Sequence, residues 1–285
     1  MMNHTVTLRD GAIVPALGQG TWCLGEHRDL LEREEQALRA GIDAGMTLLD
    51  TAEMYGDGLS EELIGRTIRD IPREQLFIVS KVYPHNAGRR NIFTSCENSL
   101  RRMGVDYIDL YLLHWRGSIP LAETVQCMEQ LKKEGKILRW GVSNFDTEDM
   151  KELRRIPKGD QCAANQVLYH IASRGIEYDL LPWMRRHNVP LMAYCPLAQA
   201  GRLRRGLCHN RLLQEIAGQH EATISQILLS FVIRDGSTIA IPRTGKSAHI
   251  IENAGADAID LTEEDLREID RIFPAPTHKT ELDMQ

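Results

Sequence analysis

The sequence lacks the cysteine patterns that mark disulfide frameworks and zinc sites. No Cys-x-x-Cys pair occurs and no histidine stands at zinc-ligand spacing, and the six cysteines are spread over the chain at Cys23, Cys96, Cys127, Cys162, Cys195 and Cys208. This spread is typical of free thiols in a reducing, cytoplasmic setting and indicates no metal site. We also expect no signal peptide and no membrane span, because the apolar runs are shorter than the roughly 20 residues that a spanning helix needs.

The chain also has little concentrated positive charge. The formal net charge is −6, and the densest basic cluster is only Arg202, Arg204 and Arg205. Because nucleic-acid-binding proteins present a basic stripe with interleaved aromatics, no nucleic-acid partner is expected. Heptads and obvious apolar patches are missing as well, so the sequence predicts a monomer.

What the sequence does contain is an alternation of short apolar runs with amphipathic segments. Ile92, Cys96, Leu100 and Met103 recur at helical spacing, as do the apolar residues of 121–131 and 224–231. The strand-like runs lie at about 16–22, 46–50, 76–82, 108–114, 138–143, 162–167, 189–195 and 237–242. Because alternating strands and helices imply parallel strands, and eight units imply closure, the sequence predicts an α/β fold, a (β/α)8 TIM barrel.

The two ends of the chain differ from this pattern. Asp10-Gly11 between two β-rich stretches predicts a hairpin over 6–15, which would close the bottom of the barrel. Thr262 with Asp265 predicts the start of a last helix. Residues 274–285 are polar and form a C-terminal tail. No linker divides residues 1–285, so we expect one domain.

Polar residues stand where the predicted strands end. They are Trp22, Asp50, Lys81, His114, Ser143 with Asn144, Gln166, Tyr194 and Arg243. Each could be an ordinary capping or turn residue when considered alone. Because barrel enzymes carry their chemistry at the carboxyl ends of the strands, the eight together predict a functional rim.

Asp50, Tyr55, Lys81 and His114 could transfer a proton together. A tyrosine is a poor acid at neutral pH, and a nearby ammonium lowers its pKa. We expect Asp50 to hold Lys81 in place and charged. Tyr55 would then protonate a carbonyl oxygen that a neutral His114 orients. The alternative is a satisfied polar cluster without a catalytic role.

Seven motifs of this chain resemble those of the aldo-keto reductases, in the same order. They are Asp50-Thr-Ala-Glu-Met-Tyr55, Ser80-Lys81, Leu113-His114-Trp115, Gly141-Val-Ser-Asn-Phe145, Asn165-Gln166, Ala193-Tyr194-Cys-Pro-Leu197 and Ile241-Pro-Arg243. The resemblance runs from the hairpin to about Asn253, and it is greatest for bacterial reductases of small aldehydes such as methylglyoxal. It implies NADPH-dependent reduction of aldehydes or ketones to alcohols, a role in aldehyde detoxification, and Tyr55 as the general acid.

The resemblance also implies a cofactor site. Ser143, Asn144 and Gln166 would bind the nicotinamide carboxamide, and Tyr194 would stack on the nicotinamide ring. The segment from Cys195 to Leu203 would lie over the pyrophosphate, and the segment 242–253 would hold the adenosine end. The complete predicted set is Thr21, Trp22, Ser143, Asn144, Gln166, Tyr194, Cys195, Pro196, Leu197, Gln199, Gly201, Arg202, Pro242, Arg243, Thr244, His249, Glu252 and Asn253.

Three positions of this site depart from the family pattern. Cys195 stands where serine is usual, Arg243 replaces lysine, and His249 replaces arginine. Arginine still suits phosphate, whereas neutral histidine would hold a 2′-phosphate less firmly. We therefore expect NADPH as the cofactor, with NADH tolerated.

The loop after Trp115 is short and leads directly into the next helix at Leu121. A short loop predicts an open site for small carbonyls, lined by Trp22, Met54, Tyr83 and Trp115. Ordinary packing at the barrel rim is the alternative for these four residues.

Other functions match the sequence less well than a reductase does. Gly18-Gln-Gly20 lacks the third glycine of the Rossmann fingerprint, and 240–247 has alanine at the first glycine of an NTPase phosphate loop. A Schiff-base aldolase would use Lys81, but the neighbouring Asp50 should keep that lysine charged. The main alternative is an NADPH-binding sensor or regulatory subunit with little turnover.

Overall fold

The computed structural model describes residues 2–199 and 201–284. Ten strands and eleven α-helices are formed within this part of the chain. In chain order they are β1 (Thr5–Thr7), β2 (Ile13–Pro15), β3 (Gln19–Gly20), α1 (Leu31–Asp43), β4 (Leu48–Asp50), α2 (Leu59–Thr67), β5 (Phe77–Val82), α3 (Ile92–Met103), β6 (Ile108–Leu113), α4 (Leu121–Lys133), β7 (Ile137–Ser143), α5 (Thr147–Arg155), β8 (Asn165–Leu168), α6 (Leu180–Arg186), β9 (Leu191–Tyr194), α7 (Arg202–Cys208), α8 (Arg211–Gln219), α9 (Ile224–Ile233), β10 (Thr238–Ala240), α10 (Ser247–Ala254) and α11 (Glu263–Ile272).

Strands β3 to β10 form one parallel sheet in chain order. Parallel bridges from Leu17 to Ala240 and from Gly20 to Arg243 join the first strand to the last. The backbone approach is close here, since a Cβ on Gly20 would lie 3.0 Å from the Ile241 carbonyl oxygen. The closure confirms the predicted (β/α)8 barrel.

The strands follow from apolar segments that are covered on both faces. Every residue of β5 and of β6 is buried, as expected for parallel strands with helices outside and a packed barrel inside. The last helix begins at the predicted signal: Thr262 accepts from the Asp265 backbone N–H, and Asp265 accepts in return from the Thr262 backbone N–H. The side chains that point into the barrel from β4 and β5 include Asp50 and Lys81, whose burial is explained by the site they form.

The predicted hairpin is formed by β1 and β2 and closes the amino-terminal end of the barrel. Its own side chains Val6, Leu8 and Val14 are buried and belong to the core. Arg139, near the start of β7, donates from Nε to Asp10 Oδ2 over 2.7 Å. The polar residues that follow the parallel strands lie at the opposite rim, which the hairpin leaves free.

Several strand boundaries differ from the predicted ones. The predicted strand 16–22 is reduced to β3, so Trp22 lies in a loop and is 44% exposed. The predicted strand 162–167 begins later, at Asn165, and a turn of 3-10 helix at 159–161 precedes it. In both places the flanking residues still hydrogen-bond to the neighbouring strand. The Ala163 N–H donates to the Trp140 carbonyl oxygen over 2.9 Å, and the Thr21 N–H donates to that of Asp50 over 3.0 Å, although neither residue belongs to the regular strand.

The C-terminal tail packs on the rim at the carboxyl ends of β7 and β8. Lys279 Nζ lies 3.6 Å from Asp146 and 3.5 Å from Asp179, and Ser173 Oγ donates to Asp283. The tail therefore lies on the same side of the barrel as the polar residues at the strand ends.

The described residues form neither a membrane-spanning helix nor a metal-binding cluster. None of their helices is long and apolar enough to cross a membrane. Nor do their histidine, cysteine, aspartate and glutamate side chains form a group of three or more that could hold a metal ion.

Candidate active site

The structure brings Asp50, Tyr55 and Lys81 into one hydrogen-bonded chain at the carboxyl rim. Lys81 Nζ donates to Asp50 Oδ1 over 2.7 Å and to the Thr51 carbonyl oxygen over 2.8 Å. Its third contact is the Tyr55 hydroxyl at 3.1 Å. An ammonium has three protons to donate, so the three contacts match its capacity. Thr51, which sequence reasoning missed, contributes only through its backbone.

The Lys81 side chain is fully buried. Burial lowers the pKa of the ammonium, but the Asp50 carboxylate and the Tyr55 hydroxyl outweigh that effect and raise the pKa above its ordinary value. Lys81 is therefore charged throughout the physiological range. A charged lysine is the reverse of what a Schiff-base aldolase requires, because an amine must lose its proton to attack a carbonyl.

The Tyr55 hydroxyl differs from the sequence expectation in its resting pKa. We expected the neighbouring ammonium to lower it, yet desolvation by burial raises the pKa above its usual value, against the opposing effect of Lys81. The reason is that the barrel removes the phenol from water at the same time as it brings Lys81 close. Tyr55 therefore rests as a protonated phenol, with a cation already in place for the phenolate.

His114 follows β6 and is buried beside Tyr55. The two rings meet edge to face with 5.7 Å between their centroids. Desolvation and the nearby Lys81 charge lower the pKa of His114 to about 2, so the imidazole is neutral. Its Nδ1 atom is buried and has no hydrogen-bond partner among the described residues. The expected neutral imidazole is thus present next to the phenol.

A second group of polar side chains follows the strands β7, β8 and β9. Tyr194 donates from its hydroxyl to Asn144 Oδ1 over 2.9 Å, and Asn144 Nδ2 lies 3.3 Å from both Ser143 Oγ and the His114 carbonyl oxygen. Asn144 adopts a left-handed φ of 59°, which asparagine tolerates better than most residues. The predicted carboxamide-binding residues are therefore neighbours at one part of the rim.

Gln166 joins this second group to the first. Its Nε2 donates to Asp50 Oδ2 over 2.7 Å, while Ser143 Oγ donates to the Gln166 carbonyl oxygen over 2.8 Å. Asp50 thereby uses one carboxylate oxygen for Lys81 and the other for Gln166. The sequence predicted a role for Gln166 toward the cofactor but not this contact with Asp50.

The segment after β9 turns sharply. Cys195 and Ala198 have positive φ values of 52° and 58°. Burial raises the pKa of the Cys195 thiol to about 11, so it is not a thiolate at neutral pH. Gly201 precedes α7, and Arg204 within that helix donates to the Leu197 carbonyl oxygen over 3.1 Å. The predicted residues of this segment are Cys195, Pro196, Leu197, Gln199, Gly201 and Arg202. Ala200, which is not one of them, lies outside the described residues.

The segment after β10 carries exposed positive charge at the start of α10. Arg243 donates from Nε to the Trp22 carbonyl oxygen over 2.8 Å and from a terminal nitrogen to that of Cys23 over 3.1 Å. His249 is exposed, and Glu252 accepts from Thr223 Oγ1 over 2.7 Å. The contact between Arg243 and the loop after β3 was not predicted. Thr21 also ties that loop to the site, since its Oγ1 donates to the Asp50 carbonyl oxygen over 3.0 Å.

The donors along this rim fit a phosphate-bearing dinucleotide. The guanidinium of Arg243 and the ammonium of Lys246 stand before α10, whose first backbone N–H groups favour an anion. At the other side of the rim, Ser143, Asn144 and Gln166 offer amide and hydroxyl groups suited to a carboxamide, with the Tyr194 ring beside them. The set thus combines a phosphate end and an amide end.

Aromatic rings line the side of the rim near His114. The Trp115 ring lies 4.8 Å from that of His114 and 5.6 Å from that of Tyr83. Met54 is half-buried immediately before Tyr55. Trp22 lies on the same rim, in the loop after β3. Glu53, which sequence reasoning missed, accepts from the Tyr83 backbone N–H over 2.7 Å.

Residues 16–273 match the model of the aldo/keto reductase family. The chain belongs to this family. Family membership confirms the predicted enzyme class, NAD(P)H-dependent aldo-keto reductase, and the match continues some twenty residues beyond Asn253, where the motifs end.

The chain is similar to two curated bacterial reductases. It is 53% identical over 284 residues to the methylglyoxal reductase YeaE of Escherichia coli, with all of both chains covered. It is 32% identical to the glyoxal reductase of Bacillus subtilis over 95% of this chain and 93% of the relative. The predicted resemblance to bacterial small-aldehyde reductases is confirmed.

Two solved structures of an aldo-keto reductase from Klebsiella pneumoniae are also similar, each at 54% identity. One, in complex with NADP and acetate, has a TM-score of 0.96 over 99% of both chains. The other, in complex with NADPH, has a TM-score of 0.97 over the whole of both chains. Both neighbours bind the predicted cofactor, as NADP or as NADPH, which confirms the cofactor prediction.

Proposed function

We propose that this protein reduces small aldehydes and ketones, such as methylglyoxal, to alcohols with NADPH, and that Tyr55 is the general acid. The observation that carries the proposal is the chain of contacts from Asp50 through Lys81 to the Tyr55 hydroxyl. A polar cluster without a catalytic role would not explain why a fully buried ammonium lies next to a phenol.

The residues divide the proton chemistry among them. Tyr55 donates its proton to the carbonyl oxygen as negative charge develops there, and Lys81 stabilises the phenolate that remains. Asp50 keeps Lys81 charged and fixed in position. His114, neutral because its pKa is lowered to about 2, donates a hydrogen bond from its N–H group to the same oxygen. Bound NADPH would supply the hydride for the carbonyl carbon.

The cofactor would lie along the rim from Ser143 to Asn253. Ser143, Asn144 and Gln166 would bind the carboxamide, Tyr194 would stack on the ring, and Arg243 with Thr244 would bind the phosphate of the adenosine end. Support comes from the donor types present and from the NADP and NADPH complexes of the two similar structures. Since His249 lacks the guanidinium fork that suits a 2′-phosphate, NADH should bind with only moderately lower affinity.

A small carbonyl substrate is supported by the relatives and by the loop after Trp115. Both curated relatives described above carry the names of small dicarbonyl reductases. Residues 116–120 form a short connection before α4, so the rim near Tyr83 and Trp115 stays open. The competing function is that of a cofactor-binding sensor. A sensor needs only to bind NADPH, so it would leave the contacts from Asp50 through Lys81 to Tyr55 unexplained.

Turnover distinguishes the two functions. The protein is mixed with an excess of NADPH and methylglyoxal, and the loss of NADPH absorbance is followed over many equivalents per protein molecule. We expect multiple turnovers, with rates that differ among methylglyoxal, glyoxal, a benzaldehyde and a sugar aldehyde. Tight NADPH binding with no more than one equivalent oxidised would support the sensor and contradict the reductase.

A further inference from the structure

Glu53 lies between the catalytic residues and the aromatic side of the rim, and no step of the proton chemistry uses it. We propose that Glu53 is a positioning residue that holds Tyr83, and through it Trp115, so that the site fits small carbonyl substrates. The inference rests on the proposed reductase function and deepens it.

The Glu53 carboxylate fastens the first residues after β5. Its Oε1 accepts from the Tyr83 backbone N–H over 2.7 Å and from Asn86 Nδ2 over 3.1 Å. The Glu53 backbone N–H in turn donates to the Lys81 carbonyl oxygen over 3.3 Å. Glu53 is thus fixed to the strand that carries the catalytic lysine, and it anchors the loop that leaves that strand.

A series of ring contacts connects Tyr83 to the catalytic histidine. The rings of Tyr83 and Trp115 meet edge to face with 5.6 Å between their centroids, and the centroids of Trp115 and His114 are 4.8 Å apart. His114 in turn meets Tyr55 at 5.7 Å. A displacement of Tyr83 would therefore reach Trp115, which stands beside the group that orients the carbonyl.

The same loop has a second anchor further along the chain, at Arg89. Glu123 in α4 accepts from the Arg89 backbone N–H over 2.9 Å. This contact repeats the chemistry of the Glu53 anchor, a carboxylate accepting from a loop N–H, at the far end of the segment. Glu123 therefore provides a matched control for a change at Glu53.

The test compares steady-state kinetics of Glu53→Ala, Glu53→Gln and Glu123→Ala with those of the wild-type protein, using methylglyoxal and NADPH. Loss of the two hydrogen bonds that the Glu53 carboxylate accepts should raise KM for methylglyoxal about 3- to 10-fold in Glu53→Ala, with kcat and the Kd of NADPH nearly unchanged. Glu53→Gln keeps an oxygen that can accept from the Tyr83 N–H, so its KM should return toward the wild-type value. Glu123→Ala should leave KM unchanged.

Three results would overturn the inference. The first is a wild-type KM in Glu53→Ala, and the second is an equal rise of KM in Glu123→Ala, which would indicate a general loosening of the loop. The third is a weakened NADPH affinity that accounts for the whole effect. Because the wild-type protein is measured in the same series, absence of turnover in it would contradict the proposed function instead, so the two failures are distinguishable.

Discussion

At the scale of single residues, the decisive feature is a buried charge that is fully paired. Lys81 has no exposed side-chain surface, and each of its three protons has an acceptor in Asp50, Thr51 or Tyr55. A buried ion pair adds little net stability, but removing one partner leaves an uncompensated charge in the interior. The pair is therefore better explained by its effect on Tyr55 than by a contribution to folding.

This argument predicts the stability of variants at Lys81. Lys81→Met leaves the Asp50 carboxylate buried without its cation and should lower the free energy of unfolding by about 3–5 kcal/mol. The double variant Asp50→Asn with Lys81→Met removes both charges and should recover part of that loss. Urea unfolding measures both.

A matched control is Lys151→Met, which breaks an exposed ion pair with Glu148 and should change stability little. A double variant less stable than Lys81→Met alone would contradict the argument, because it would mean that the lone carboxylate is not the source of the loss.

Single residues also show what sequence can and cannot predict. Residue type and position at a strand end were enough to place Asp50, Lys81 and His114 together. The raised pKa of Tyr55 was not predictable, because it depends on how completely the barrel excludes water from the phenol. The contact of Gln166 with Asp50 was missed for a related reason: side chains from strands that are distant in sequence meet only once the barrel curvature is known.

At the scale of elements, the site is a set of loops held at the carboxyl ends of strands. The strands themselves were predicted from apolar runs, with errors at their boundaries, as at Trp22. The contact of Arg243 with the Trp22 and Cys23 carbonyl oxygens lies between the loops after β3 and β10. This contact was not predictable from the sequence, because it depends on the closure of the barrel between its first and last strands.

The element α10 leads to a prediction about cofactor preference. His249 is exposed on its first turns, close to the positive end of the helix dipole. His249→Arg adds a permanent charge suited to a 2′-phosphate, and it should tighten NADPH binding roughly 3- to 10-fold. NADH lacks that phosphate and is the internal control, so its Kd should hardly change. Fluorescence titration of both cofactors measures the difference, and an equal effect on the two would contradict the assignment.

At the scale of the whole molecule, closure of the barrel buries titratable groups that the unfolded chain exposes. Burial lowers the pKa of His114 to about 2 and that of His170 to about 4, against an ordinary value of 6.5. Below pH 6.5 the unfolded chain binds protons at these two positions while the folded protein does not. The contribution of these two histidines to folding stability therefore becomes less favourable as the pH falls from 6.5.

The size of this effect can be checked at His170, which lies outside the catalytic residues. Each such histidine contributes about 1.4 kcal/mol per pH unit between its two pKa values, so His170→Asn should reduce the slope of stability against pH near pH 5 by about that amount. Asparagine keeps an oxygen that can replace Nδ1 as acceptor for the Ala172 N–H. Urea unfolding at several pH values, with His278→Asn in the exposed tail as control, gives the slopes. An unchanged slope in His170→Asn would contradict the assignment of this histidine.

The central claim concerns the whole assembly: the rim holds a hydride donor against one phenol that supplies the proton. The most direct test is Tyr55→Phe, measured for kcat with methylglyoxal and for the Kd of NADPH. Removal of the hydroxyl should lower kcat by about 100-fold or more, since general acid catalysis contributes 10²- to 10⁴-fold, while NADPH affinity stays near the wild-type value. A variant that binds NADPH normally and keeps near-wild-type kcat would contradict the account.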